Sequence, residues 1–136
     1  MQVPSSREQL NKLLELVEDR PRVLICTHDN PDPDAMAGAM TLAHVIEAMR
    51  DAKTRLVYGG IVGRAENRNM VRLLDIPLWS QESIKVRDDD AFVVVDTQPA
   101  FGNNTIPETA DIVAILDHHP SNAPPEVPLV DIRTGY

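Results

Sequence analysis

Two kinds of residue are scarce in this chain, and each scarcity removes a class of protein. The single cysteine, Cys26, cannot form an internal disulfide, and its place in the apolar stretch VLICTH predicts a buried thiol rather than a nucleophile. Lysine and arginine number 13 against 21 aspartates and glutamates, for a net charge of -8. A domain that holds long duplex nucleic acid is therefore not expected, since phosphate neutralisation needs many cations. The negative net charge does not exclude small anionic substrates, because bound metal ions can make the local electrostatic potential positive.

Long apolar runs are also missing. No stretch approaches the roughly 18 residues that a membrane-spanning helix needs, and the start MQVPSSREQL lacks the apolar core of a signal peptide. We therefore expect no membrane partner and a cytoplasmic location. The 136 residues, 43% of them hydrophobic, suffice for one globular domain with its own core. The oligomeric state is not indicated.

Apolar stretches alternate with helical patterns along the chain. The predicted strands are VLICTH (23–28), TRLVYGG (54–60), AFVVVD (91–96), DIVAILD (111–117) and VPLVDI (127–132). The third and fourth are continuous apolar runs, which are typical of strands covered on both faces. Helices are predicted before the first strand and after each of the first two. We therefore expect an α/β fold, a single domain with an open, mostly parallel sheet flanked by helices.

Start signals and apolar spacing define the three predicted helices. The first, in SREQLNKLLELVEDRP, is expected to have Ser6 as N-cap and Gln9 completing a capping box. The second, DAMAGAMTLAHVIEAMRDA, is expected to begin at Asp34 as N-cap. The third, RAENRNMVRLLDI, is predicted to bury an apolar side made of Met70, Val71, Leu73 and Leu74.

Acids and histidines collect where the predicted strands end. In a parallel α/β sheet these ends share one edge, and ligands bind there. The residues concerned are His28, Asp32, Asp34, Asp96, Asp117, His118 and His119. Carboxylates that converge in a partly buried cleft must take up protons or cations. Two divalent ions would neutralise them, and the mixture of aspartate oxygens with imidazole nitrogens favours Mn²⁺, with Mg²⁺ or Co²⁺ as alternatives.

Simpler interpretations of the same residues stay open. Asp32 and Asp34 could serve only as a helix cap and solvated acids, and DHHP could be a capped turn with hydrogen-bonded imidazoles. A row of arginines at helical spacing could guide an anion or be a solvated face: Arg64, Arg68 and Arg72. His44 is interpreted as a surface residue, and the glycines of YGGIVG as a turn.

Three stretches in this order resemble the motifs of the DHH phosphoesterase family, which includes RecJ-like and nanoRNase-like members and family II pyrophosphatases. HDNPDPDAMAG resembles the first motif, VVVDTQP the second, and DHHP contains the triplet that names the family. The resemblance covers nearly the whole chain. It implies metal ligands in two sets bridged by Asp96: His28 with Asp32, and Asp34 with His118.

The resemblance also implies roles for the remaining acid and histidine of DHHP. His119 would face the substrate phosphate, and Asp117 would support the neighbouring imidazole or turn. Together with Asp96, these two residues would form the catalytic set. Water activated between two ions that share Asp96 would attack phosphorus, and His119 would stabilise charge on the phosphoryl oxygens.

Function is likewise implied by the resemblance. The leading expectation is hydrolysis of phosphodiester or phosphomonoester bonds in short oligonucleotides or small nucleotides. The alternatives are an inorganic pyrophosphatase or exopolyphosphatase, and a catalytically weak regulatory or binding module. The family's fourth motif and C-terminal substrate domain are expected to have no counterpart, because the chain ends first, and Asp131 comes too soon after DHH to fill the fourth motif. Residues 1–136 are therefore expected to be an N-terminal DHH domain, incomplete at its C-terminal end.

Overall fold

The structure, a computed structural model, describes residues 4–121 and 125–135. Its helices are α1 (Ser6–Leu16), α2 (Pro33–Met49) and α3 (Ala65–Leu73), with one 3₁₀ turn at Pro99–Phe101. Its strands are β1 (Arg22–Cys26), β2 (Lys53–Tyr58), β3 (Leu78–Ser80), β4 (Ala91–Val95), β5 (Ile112–Asp117) and β6 (Leu129–Ile132). Strand β3 was not predicted, since three residues are too few to show a pattern.

All six strands form one sheet in the order β3-β2-β1-β4-β5-β6, and every pairing between the described strands is parallel. The predicted α/β class is confirmed. The chain moves outward in one direction from β1 to β3 and in the other from β4 to β6. The direction reverses between β1 and β4, and such a switch point opens a crevice at the carboxyl ends of the two strands.

The two faces of the sheet are covered differently. The larger core cluster joins alternate strand residues to all three helices, through Leu13 of α1, Met36 of α2 and Met70 of α3. The smaller cluster on the other residues of the strands includes Cys26 and is covered by loop residues such as Ile84. Burial raises the pKa of the Cys26 thiol to about 12, so the expectation of an unreactive, buried cysteine is confirmed.

Both predicted N-caps were misplaced. Helix α1 is capped by Ser5 rather than Ser6, because Glu8 offers a charged partner at the third position and closes a complete capping box with Ser5. Helix α2 is capped by Asp32 rather than Asp34, with Asp32 Oδ1 accepting from the Ala35 amide at 2.9 Å. Pro33 then takes the first helical position, where its missing N–H costs no hydrogen bond.

The predicted apolar side of α3 was wrong in part. Met70 and Val71 do pack against the core, but Leu73 and Leu74 are exposed. Helix α3 ends at Leu73, so helical periodicity does not carry Leu74 inward, and Ile76 fills the core instead. None of the helices in the described segments is long and apolar enough to cross a membrane.

Candidate metal centre

Asp96 stands at the centre of the cluster, directly after β4 and beside β1 and β5. Its backbone has a φ of 63°, a left-handed conformation that is uncommon for a residue with a side chain. Its carboxylate lies between two imidazoles: Oδ1 is 2.9 Å from Nε2 of His118, and Oδ2 is 3.6 Å from Nε2 of His28. Asp96 therefore connects the ends of three neighbouring strands, and a strained backbone at such a place favours a functional role.

His28, Asp32 and Asp96 form the first group of metal-ligand atoms, all within 4.8 Å of one another. The Nδ1 atom of His28 lies 2.8 Å from the backbone carbonyl of Asp29. Because a carbonyl only accepts, Nδ1 is the donor, and Nε2 is the ring nitrogen that faces the acids. This arrangement is typical of a metal-binding histidine.

Asp32 serves two purposes in this geometry. Its Oδ1 atom caps α2 and lies 3.8 Å from Nε2 of His28. The capping interpretation is therefore correct for Asp32, but it leaves the second carboxylate oxygen and one lone pair of Oδ1 for a cation. Asp34 lies exposed in the first turn of α2 and belongs to neither ligand group among the described residues.

The second group consists of Asp96, Asp117, His118 and His119. His118 turns toward Asp96, whereas Nδ1 of His119 lies 2.6 Å from Oδ1 of Asp117. The two neighbouring rings, 4.3 Å apart between centroids, thus face different carboxylates. The His119 side chain is 47% exposed, which leaves its outer edge accessible to a ligand.

Asp117 is fully buried and held as a carboxylate. Burial raises its pKa, but hydrogen bonds from Gln98, from the His119 ring and from the His118 amide outweigh burial and lower that pKa below its ordinary value. The Gln98 amide donates to Asp117 Oδ2 at 2.8 Å and to the His119 carbonyl at 3.1 Å. Asp117 therefore presents a fixed negative charge to His119, and its oxygens are already occupied by donors.

Sequence reasoning missed Gln98, Asp29 and Asn67. Gln98 follows the second motif directly, but nothing in VVVDTQP shows that its amide reaches DHHP. Asp29 belongs to neither ligand group, and its buried Oδ1 has no hydrogen-bond partner among the described residues. Asn67 occupies an inward position of α3, three and four residues before Met70 and Val71, and a polar residue in an apolar stripe was a signal available in the sequence.

The donor set fits a divalent cation. Two imidazole Nε2 atoms and carboxylates from separate strand ends converge on Asp96, and hydrogen bonds orient the ring of His28. Nitrogen and oxygen donors in this mixture suit first-row divalent metals, whereas thiolate ligands are excluded because Cys26 is buried in the core. The structure thus brings together His28, Asp32, Asp96 and His118 of the predicted ligands, with Asp117 and His119 beside them.

Comparison with known proteins agrees with the geometry. Residues 22–135 match the DHH family, N-terminal domain. The chain is also 36% identical over 117 residues to "Uncharacterized protein MJ1633" of Methanocaldococcus jannaschii. That alignment covers 85% of this chain but 23% of the archaeal protein, so the chain spans less than a quarter of that relative's length. The family match includes all six strands and both ligand groups, and the chain therefore belongs to the DHH family.

Proposed function

We propose that this domain is the metal-binding part of a phosphoesterase that hydrolyses phosphodiester or phosphomonoester bonds in short oligonucleotides or small nucleotides. The observation that carries the proposal is the contact of one carboxylate, Asp96, with His28 and His118 at the switch point of a DHH-family sheet. Because the chain spans 23% of its archaeal relative, substrate binding by a further domain belongs to the same proposal. A cytoplasmic location and a lack of membrane partners remain predictions.

The proposed ligands are His28, Asp32, Asp96 and His118, with Asp34 as a further ligand. Mn²⁺ is the proposed ion, with Mg²⁺ or Co²⁺ as alternatives, and a divalent ion here would supply positive charge to the phosphoryl oxygens and lower the pKa of water. Asp96 would belong to both sets of ligands. The Asp29 carbonyl would keep the lone pair of His28 on Nε2.

His119 is the proposed contact to the reacting phosphate. Asp117 accepts from Nδ1 of His119, which fixes the orientation of the ring beside the site. A donor of this kind, preorganised toward an oxygen that gains charge, typically contributes about 10²–10³ in rate. Gln98 would act through Asp117, as a residue that positions rather than touches the substrate.

The test is a substrate panel assayed with and without Mn²⁺. We expect hydrolysis of oligonucleotides of two to five nucleotides, loss of activity with a chelator, and loss of activity in Asp96→Asn. Faster hydrolysis of pyrophosphate or polyphosphate would replace the nucleotide assignment with the phosphatase alternative. Saturable Mn²⁺ binding without turnover of any member, in this chain and in a longer protein that carries it, would contradict an enzyme and favour a binding module.

A further inference from the structure

A cleft of about 450 Å³ opens beside the first ligand group, between the loop that follows β1 and the start of α3. His28 and Asp32 line one side, and Arg64, Glu66 and Asn67 line the other. The cleft therefore begins at proposed metal ligands and continues away from DHHP. A substrate that placed its reacting phosphate at Asp96 would have room here for an adjoining group.

Asn67 is the feature of this cleft that folding does not account for. The residue is 6% exposed, and its side-chain amide has no hydrogen-bond partner within residues 4–121 and 125–135. Buried polar groups are normally satisfied, because an unpaired donor loses its hydration without compensation. The amide atoms of Asn67 are not among the fully buried unpaired atoms of the described residues, so the exposed part of this largely buried residue faces the cleft that it lines, where a ligand can supply an acceptor.

The start of α3 adds further unpaired donors. Arg64 is the N-cap residue of this nine-residue helix, and its side chain makes no capping hydrogen bond. The first backbone N–H groups of α3 therefore lack a side-chain acceptor, and together with the helix dipole they favour an anion. The N-terminus of α3 and the Asn67 amide in its first turn therefore both favour an anion in the cleft.

The three arginines at helical spacing do not act as one row. Arg68 donates to the Gly63 carbonyl at 2.5 Å, and Arg72 donates to Asn69 Oδ1 at 3.0 Å. Neither lines the cleft, whereas Arg64 does. Only Arg64 can therefore contact an anion in the cleft, and Arg68 and Arg72 belong to the solvated face of the helix.

We propose that this cleft binds the non-reacting phosphate next to the scissile one, with the Arg64 guanidinium, the Asn67 amide and the first N–H groups of α3 as donors. The proposal rests on the proposed function and specifies its substrate class. Glu66 places a carboxylate in the same cleft, where it can accept from a sugar hydroxyl and disfavours the dense charge of a polyphosphate. The combination therefore selects a nucleotide chain, not an inorganic one.

The test compares two diesters in steady-state kinetics with Mn²⁺. The first is the dinucleotide pTpT, which has a second phosphate, and the second is bis(p-nitrophenyl) phosphate, which has none. Arg64→Gln is expected to raise KM for pTpT about tenfold more than KM for the generic diester. Arg72→Gln is the matched control on the same helix, because Arg72 donates to Asn69 and neither residue lines the cleft, and it should leave the ratio of the two KM values unchanged. Equal effects of Arg64→Gln on both substrates would overturn the subsite.

Asn67→Leu adds a readout that a structural role would not produce. Because no hydrogen bond within the described residues involves the Asn67 amide, its removal should not lower the Tm, whereas KM for pTpT should increase, since the amide serves the ligand and not the fold. A lower Tm together with unchanged KM would refute the role of Asn67.

Binding of pTpT in the presence of a chelator separates the subsite from the proposed function. Arg64-dependent binding without hydrolysis of either diester would support the subsite and contradict the proposed function. Hydrolysis of both diesters with KM values that Arg64→Gln leaves unchanged would support the proposed function and contradict the subsite.

Discussion

Oδ1 of Asp96 lies 2.9 Å from Nε2 of His118, and this contact joins the ends of β4 and β5, two adjacent parallel strands. The other oxygen of Asp96 faces His28 at the end of β1. Each oxygen of the Asp96 carboxylate faces a different imidazole, so two cations could share this carboxylate. The backbone of Asp96 is left-handed, a conformation that is uncommon for a residue with a side chain.

Substitution of the two adjacent histidines separates their roles. His118→Ala should lose both Mn²⁺ affinity and activity, because its Nε2 faces Asp96. His119→Ala should keep Mn²⁺ affinity and lose about 10²–10³ in kcat, because its ring is held by Asp117 rather than by Asp96. Titration of both variants with Mn²⁺ beside their rates checks this. Equal loss of metal in the two variants, or near-normal turnover in His119→Ala, would contradict the division.

The buried pair of Arg22 and Asp90 should dominate stability far from the site. Its two hydrogen bonds measure 2.7 and 2.6 Å, and the Asp90 side chain is 0% exposed. Asp90→Asn leaves the Arg22 charge buried, and we expect a loss of about 3–5 kcal/mol in the free energy of unfolding at pH 7. Urea unfolding provides the measurement. Asp111→Asn, which removes the exposed partner of Arg20, is the control and should cost no more than about 1 kcal/mol.

The same pair predicts a pH dependence of stability. Burial raises the pKa of Asp90, but hydrogen bonds from Arg22 and from the Arg87 amide outweigh burial and hold that pKa below its ordinary value of 3.8. A carboxyl whose pKa is depressed by folding stabilises the native state above its unfolded pKa and loses this contribution as the pH falls through the folded value. The difference between wild type and Asp90→Asn should therefore shrink below about pH 4. A difference that stays constant down to pH 2 would count against the ion pair.

Gly60 supports the ligand loop through Asn30. Its φ is +64°, and an added Cβ would lie 2.3 Å from Asn30 Oδ1, the atom that accepts from the Ile61 amide. Gly60→Ala should destabilise the fold by about 2–4 kcal/mol and weaken Mn²⁺ binding, because Asn30 shares the loop with His28 and Asp32. Gly102→Ala is a matched control, since φ there is +72° and no described atom lies within 4 Å of the added Cβ. Equal effects of the two substitutions on stability and Mn²⁺ affinity would show that the Asn30 contact is unimportant.

The fold could be predicted from local patterns, but the partners of individual side chains could not. Continuous apolar runs such as that of β4 identify buried strands by themselves, and parallel strands bring their ends to one edge whatever their order. A one-residue choice between caps, as for Ser5 and Ser6, depends on which partner the helix can reach. The pairing of Gln98 with Asp117 depends on a loop conformation that no spacing encodes.

Among the candidate site residues, too, some positions follow from the sequence pattern and others depend on tertiary contacts. His28, Asp96 and His118 come together because strand topology places them, and that much follows from the alternation of strands and helices. The choice between Asp32 and Asp34 depends on the start of α2, where Asp32 is the cap and Asp34 lies two residues further on, inside the first turn. Asn67 stayed unnoticed because its meaning depends on the cleft, which forms only when α3 approaches the loop after β1.

The central claim is that Asp96 is shared by metal ions at the switch point of the sheet. Isothermal titration calorimetry of the metal-stripped chain with MnCl₂ tests it most directly, with Asp96→Asn as the variant and Asp111→Asn as the control. We expect saturable binding of one or two Mn²⁺ per chain in wild type and control, and its loss in Asp96→Asn. Absence of saturable binding in wild type, or an Asp96→Asn titration that matches wild type, would contradict it.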